Sequence, residues 1–195
     1  MSFFVEVGSC DFDTCEQLIK NGWKGLVIEP VKVYFDKLPK YDSIIYENIA
    51  IDSNNGQSVI HYIDPQYINE NNKWEKGISS LLSSSGPLNL TNNQHIKRYQ
   101  NPIKQDIQTY TLNRICDKHN IKNIDFLKID TEGHDLKVLK SIDLNNINVK
   151  MIKIEHKHLI AADIISHLKQ YNYLVYQENE DILLWPLTIC INPIK

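Results

Sequence analysis

Apolar residues along this chain gather in short runs that alternate with segments of helical spacing. Phe3 to Val7 is apolar except for Glu6, and Gly25 to Ile28 is a second run that closes on Glu29. Ile44 to Ile51 is a third. Short apolar runs bounded by turn residues read as buried strands. Between the first two, Asp13 and Thr14 can cap a helix that reaches about Asn21, and Thr14 and Gln17 have capping-box spacing. Gly22 ends that helix. Pro30 suits the first turn of the next one, which carries Val33, Phe35 and Leu38. Val59 to Ile63 reads as a further short strand.

From Asp64 to about Lys104 the pattern fails. The stretch holds Pro65, Pro87, Pro102, a serine-rich run from Ser79 to Gly86 and many asparagines. Roughly forty residues without regular structure are unusual inside a compact domain, and such loops are usually lids or disordered segments. A substrate-side insertion or lid over 64–104 is therefore expected. Regularity returns at Ile107 to Thr111, a strand, followed by a helical face of Leu112, Ile115, Cys116 and His119. Asp125 to Asp130 is the next strand, and Leu136 and Leu139 share one face of the helix after it. Val149 to Ile154 is a strand ending on Glu155 and His156. Ile160, Ile164, Ile165 and Leu168 stripe another helix. Tyr173 to Tyr176 and Ile182 to Trp185 flank the polar turn 177–181 and predict a closing antiparallel hairpin.

Strands alternating with helices predict an α/β fold with a mostly parallel sheet covered on both faces. At 195 residues the chain fits one domain, 1–195, carrying the 64–104 insertion. A net charge of −3 with scattered Lys and Arg lacks the basic face of a nucleic-acid binder, so no nucleic-acid partner is expected. No apolar run approaches the roughly 18 residues of a membrane span, so no membrane partner is expected either. Met1 to Val5 lacks the basic lead of a signal peptide and reads as the start of a strand. The four cysteines, Cys10, Cys15, Cys116 and Cys190, form no Cys-x-x-Cys pair. They read as thiols of a reducing compartment, which predicts a cytoplasmic protein. The sequence sets no oligomeric state.

Acids stand at or near four strand ends: Glu6, Glu29, Asp130 and Glu155. In open α/β sheets, ligands bind outside the carboxyl ends of the strands, where the strand order reverses. The most pointed stretch is Phe126 to Asp135, an apolar run that stops on Asp130, Glu132 and Gly133 before a helix. The first strand leads into Glu6-Val-Gly-Ser-Cys-Asp11, where Gly8 lets backbone approach a ligand closely. Glu29 follows that turn by about twenty residues, where an acid takes the ribose hydroxyls of a nucleotide-like ligand. A dinucleotide would need more glycines and fewer acids than this turn has. Asp11 and Asp13 would repel a pyrophosphate and attract the ammonium and sulfonium of S-adenosylmethionine. An NAD-dependent Rossmann enzyme is thus the less favoured reading.

These segments resemble a known family. Phe4-Val-Glu-Val-Gly-Ser-Cys-Asp-Phe-Asp-Thr14, Val27-Ile-Glu-Pro30, Glu47-Asn-Ile-Ala50, Tyr110-Thr-Leu112, Ile124 to Leu139 and Ile152-Lys-Ile-Glu155 are similar to motif blocks of FkbM-family S-adenosylmethionine-dependent methyltransferases. The block Lys128-Ile-Asp-Thr-Glu-Gly133 is the most specific. The resemblance implies a Rossmann-like class I methyltransferase fold, with a seven-stranded sheet and a C-terminal antiparallel hairpin. It also implies methyl transfer to a hydroxyl on a sugar, glycan or natural-product acceptor. By position, Glu6, Gly8, Ser9, Cys10 and Asp11 would line the methionine part of the cofactor. Glu29 would hold the ribose, and Ile49 and Ala50 would border the adenine. Asp130, Glu132 and His134 would face the transferred methyl group. The family usually has Asn where Cys10 stands and Gly where Phe12 stands.

Methyl transfer to a hydroxyl needs in-line alignment and an acceptor for the proton. His134 and His156 are candidate bases, with Asp130 as an alternative. A divalent metal held by Asp130, Glu155 and His156 is a second mechanism these residues allow. In the insertion, Ser79, Ser80, Arg98 and Tyr99 suit hydrogen bonding to a polyhydroxylated acceptor. Outside catalysis, the Cys10 and Phe12 departures fit a cofactor-binding scaffold of weak or lost turnover.

Overall fold

A computed structural model describes residues 1–11, 15–81, 101–156, 159–178 and 181–186. Seven strands form the main sheet: β1 (Phe3–Val7), β2 (Lys24–Ile28), β3 (Ile44–Glu47), β9 (Phe126–Ile129), β11 (Ile152–Glu155), β12 (Tyr173–Glu178) and β13 (Asp181–Pro186). Their spatial order is β12-β13-β11-β9-β1-β2-β3. The first five in the chain are parallel to one another, and β13 runs antiparallel to both β11 and β12. From β1 the chain builds β2 and β3 on one side, then returns to build β9 and β11 on the other. The carboxyl end of β1 is therefore a switch point, where a crevice opens between diverging connections.

The parallel strands are apolar because both faces are covered. Val5, Val7, Leu26, Ile28, Leu127, Ile129, Ile152 and Ile154 are buried in one cluster with Leu112, Ile115, Val138, Leu139, Ile164 and Leu168. The latter come from α3 (Leu112–Lys118), α4 (Asp135–Lys140) and α5 (Ala161–Lys169). Full burial of each such side chain stabilises by about 1.5–3 kcal/mol. On the other face, Phe4 and Val27 pack with Cys15, beside α1 (Glu16–Lys20), and Leu38, beyond α2 (Lys32–Phe35). No helix among the described residues is long and apolar enough to cross a membrane.

The structure departs from the predicted elements in several places. The expected third strand, 44–51, is two strands. Asn48 donates side-chain hydrogen bonds to the carbonyls of Glu29 and Pro30 at 2.8 and 3.0 Å, which turns the chain after Glu47. Ala50–Ile51, β4, then enters a second sheet of four strands. That sheet joins β5 (Gly56–Tyr62) antiparallel to β7 (Ile103–Tyr110), both longer than their apolar runs suggest, and adds β6 (Ser79–Ser80) beside β5. The stretch from 64 is thus not structureless where it is described. It forms two 3-10 turns, Pro65–Tyr67 and Lys73–Gly77, before β6. Asp64 caps the first, its side chain accepting the Gln66 N–H at 3.0 Å. The strand expected at 125–130 is β9, with a short strand before it, whereas the one expected at 149–154 divides. Asn123–Ile124 and Asn148–Val149, β8 and β10, pair with each other outside the main sheet. The predicted helix caps Asp13 and Thr14 and the family departure Phe12 lie outside the described residues, as does Cys190. Cys10, Cys15 and Cys116 are free and buried thiols.

Candidate active site

A cavity of about 240 Å³ opens at the carboxyl ends of β1, β2, β9 and β11. Its floor is Val7, Gly8, Glu29, Asp130 and Glu155, and the second sheet closes a side with Ala50, Ile51 and Ile60. The insertion covers it with Trp74, Lys76, Gly77, Ser79, Ser80 and Leu81.

Gly8 holds the loops together. Its φ is +85°, and a Cβ there would lie 1.9 Å from the carbonyl oxygen of Asp130. The β1 loop and the β9 turn therefore nest backbone to backbone, with the Gly8 N–H on the Ile28 carbonyl at 3.0 Å and the Asp130 N–H on the Val7 carbonyl at 3.0 Å. Cys10 also has positive φ, 53°, although it has a side chain. Its N–H is held by Glu29 at 2.6 Å. The other Glu29 oxygen accepts the Val31 N–H at 2.7 Å. Glu29 is 3% exposed, and burial pushes its carboxyl up to about 7 against the pull of those two N–H groups.

The β9 turn is built as tightly. Glu132 and Gly133 both have positive φ. Buried Asp135 accepts the N–H of Thr131 at 2.8 Å and of Gly133 at 3.0 Å, closing the turn onto the start of α4. Burial raises its carboxyl to about 6. The turn presents Asp130 and Glu132 toward Glu155, with one oxygen of each within 4.8 Å of the others. Lys128, almost wholly buried below them, contacts Glu6 and Asp130, each at 3.2 Å. Burial works against its charge, but the two carboxylates outweigh that and hold the ammonium above its usual range.

His134 lines the cavity at 4% exposure. Its Nε2 lies 3.0 Å from Asp52, which follows β4. Burial lowers the imidazole below the ordinary histidine range, despite the pull of Asp52. Among the described residues its Nδ1, shielded from solvent, has no hydrogen-bond partner. Asp52 is held below the ordinary carboxylate range, because the Ser53 N–H and His134 outweigh its partial burial.

Of the residues singled out in the sequence, Gly8, Cys10, Glu29, Ile49, Ala50, Ser79, Ser80, Asp130, Glu132 and His134 line this one cavity. Asp11 sits just outside, ion-paired with Lys76. Ser9 is buried, and its hydroxyl donates to the Cys10 carbonyl at 3.2 Å. Glu6 is absent from the lining: it faces the α1 side of the sheet, in a second small cavity with Cys15 and Glu16. His156 is also absent, its Nε2 lying 3.3 Å from the Gln177 amide. The acid cluster accordingly joins Asp130 and Glu155 to Glu132, not to His156. Arg98 and Tyr99 lie outside the described residues. Sequence reasoning missed Lys128, Asp52 and Asp135. A lysine inside an apolar strand, two residues before an acid, was the available signal for the first.

The described geometry meets independent comparisons. No curated protein matches the chain. A chain in a crystal structure of a fibrillarin/Nop5p complex shares 11% identity, covering 94% of this chain and 70% of that one at a TM-score of 0.43. A family model described as the methyltransferase FkbM domain matches residues 6–175. This chain belongs to the FkbM methyltransferase family.

Proposed function

We propose that the domain transfers a methyl group from S-adenosylmethionine to a hydroxyl oxygen of a sugar, glycan or natural-product acceptor, with 64–104 closing over the acceptor. The observation that carries the reading is the His134 imidazole, 3.0 Å from the Asp52 carboxylate, in the same cavity as Glu29 and the strand-end acids.

The residues fit the cofactor. Ile28, Ile49, Ile51, Ile60 and Tyr34 give an apolar wall for adenine. Each Glu29 oxygen accepts one N–H and keeps a lone pair for a ribose hydroxyl. Asp130, Glu132 and Glu155 make one wall negative, which suits a sulfonium and an ammonium. When bound, the cofactor supplies a methyl carbon open to displacement. The protein must then align the hydroxyl and take its proton. An ionised Asp52 accepts from the His134 Nε2–H and fixes the tautomer of the ring, and His134 and Asp130 are the candidate bases at the cavity. Asp130 sits on a rigid strand end, where a group that orients the hydroxyl keeps its geometry.

The test has two arms. S-adenosylhomocysteine binding is measured by calorimetry, and turnover is followed as S-adenosylhomocysteine release with panels of hydroxylated acceptors. Asp130→Asn should abolish turnover and leave cofactor affinity within about threefold, ~0.7 kcal/mol. Full activity in that variant would move the chemistry elsewhere. Binding of NAD in place of S-adenosylhomocysteine would overturn the reading.

A further inference from the structure

The turn Lys73–Gly77 reverses the usual placement of its side chains. Trp74 is 61% exposed, whereas the neighbouring carboxylate Glu75 is 3% exposed. A lone exposed apolar residue is ordinary on a protein surface. A glutamate buried beside an exposed indole is not, because desolvating the acid and wetting the ring both oppose folding. The burial of Glu75 is compensated locally. Its side chain accepts from the Asn72 amide at 3.2 Å, and its N–H meets the Asn72 carbonyl at 2.9 Å. The turn is thereby anchored through its acid, and it leaves the indole outside. Trp74 also lines the cavity, so the exposed ring stands at its mouth.

What surrounds the ring narrows what it meets. Ser79 and Ser80 lie on the same roof, and Asp130, Glu132 and Glu155 lie below. These are hydrogen-bond acceptors and hydroxyls. Lys76, the cation in the lining, is engaged by Asp11. A flat apolar face beside many acceptors fits a ring with one C–H face and several hydroxyls. It does not fit an anionic acceptor, which the acids would repel. From this we infer that Trp74 is the acceptor platform of the site and that the acceptor is an uncharged pyranose, stacked by its C–H face on the indole. Its reacting hydroxyl then points down toward Asp130. The inference rests on the methyl-transfer reading and names the substrate class for it.

The experiment uses the full chain saturated with S-adenosylhomocysteine, with a panel of neutral methyl pyranosides as probes. Saturation-transfer NMR shows which sugar protons meet the protein, and titration gives the affinity. At least one pyranoside should bind, with transfer strongest on the C–H protons of one ring face. Trp74→Ala should weaken that binding about tenfold or more, the scale of truncating an aromatic anchor, and Trp74→Phe should restore part of it. Cofactor affinity should stay within about threefold in both variants. Absence of pyranoside binding to the cofactor-loaded protein would overturn the inference. So would binding indifferent to Trp74→Ala, or binding of simple phenols in preference to pyranosides. Failure of S-adenosylhomocysteine to bind at all would instead overturn the methyl-transfer reading, which keeps the two failures distinct.

Discussion

Glu6 stands on β1 and Glu29 directly follows β2, its parallel neighbour, and both are almost fully buried, at 2% and 3% exposure. Their surroundings differ in kind. Glu6 meets an ammonium, Lys128, at 3.2 Å. Glu29 meets two backbone N–H groups, of Cys10 and Val31. An ammonium neutralises a carboxylate and ties it to one partner, which suits a structural charge. Two peptide N–H groups orient a carboxylate without cancelling its charge, which suits a group that must still take a ligand. The cavity follows the same division, since Glu29 lines it and Glu6 does not. Proximity to a strand end is therefore not enough to mark an acid as a site group; facing the cavity also counts, since Asp130 meets the same Lys128 and still lines it.

The comparison breaks most sharply at Lys128. Lys128→Met strands Glu6 in the sheet and should cost about 3–5 kcal/mol of stability, read by denaturant unfolding. The double variant Glu6→Gln with Lys128→Met should recover most of that loss. If the single variant is as stable as the parent, Glu6 is not held by its lysine, and the contrast fails.

At Glu29 the larger effect should fall on the ligand. Glu29→Ala should weaken S-adenosylhomocysteine by about ten- to a hundredfold, or roughly 1.5–3 kcal/mol. Calorimetry on the folded variant checks this, and unchanged affinity would remove Glu29 from the site. Glu29→Gln should not rescue it. A carboxamide has one oxygen for two N–H donors, and its NH₂ would face the second.

The smallest effect is a pH dependence. The Glu29 carboxyl titrates near 7 in the folded protein, above its ordinary 4.5, because of burial. A raised carboxyl adds stability that is complete below about 4.5 and is lost as pH rises through 7. The same ionisation strengthens its acceptance of ribose hydroxyls. Cofactor affinity should therefore rise severalfold between pH 6 and 8, on the scale of a charged against a neutral acceptor. Glu29→Ala should flatten that rise. A profile flat in the parent would place the titration elsewhere.

The parallel strands and closing hairpin were legible because buried strands concentrate β-branched and aromatic residues between turn signals. The second sheet was not. β5 opens on Gly56, Gln57 and Ser58, and β7 carries Lys104, Gln105 and Asp106, so neither shows a clean apolar run. The site divides in the same way. Gly8, Glu29, Asp130 and Glu132 lie inside contiguous motifs, and their spacing marks them. Asp52 does not, because its meeting with His134, 82 residues away, depends on the unforeseen second sheet. Glu6 looked like a ligand group by position alone. Its true neighbour was set by strand register, which pairs it across from Lys128.

Cys10 offers a probe of the contact between the β1 loop and the insertion. Its thiol is buried in the cavity wall, donates to the Lys76 carbonyl at 3.6 Å, and is held far above the usual range by burial and by Glu29. A thiol in that state barely forms the thiolate that alkylating reagents need. Under the proposed lid role, its labelling by iodoacetamide, followed by mass spectrometry, should follow the fraction of molecules in which the insertion is lifted away. Each ligand that seats the insertion more firmly should then slow that labelling, and labelling unchanged by ligand would count against the lid role.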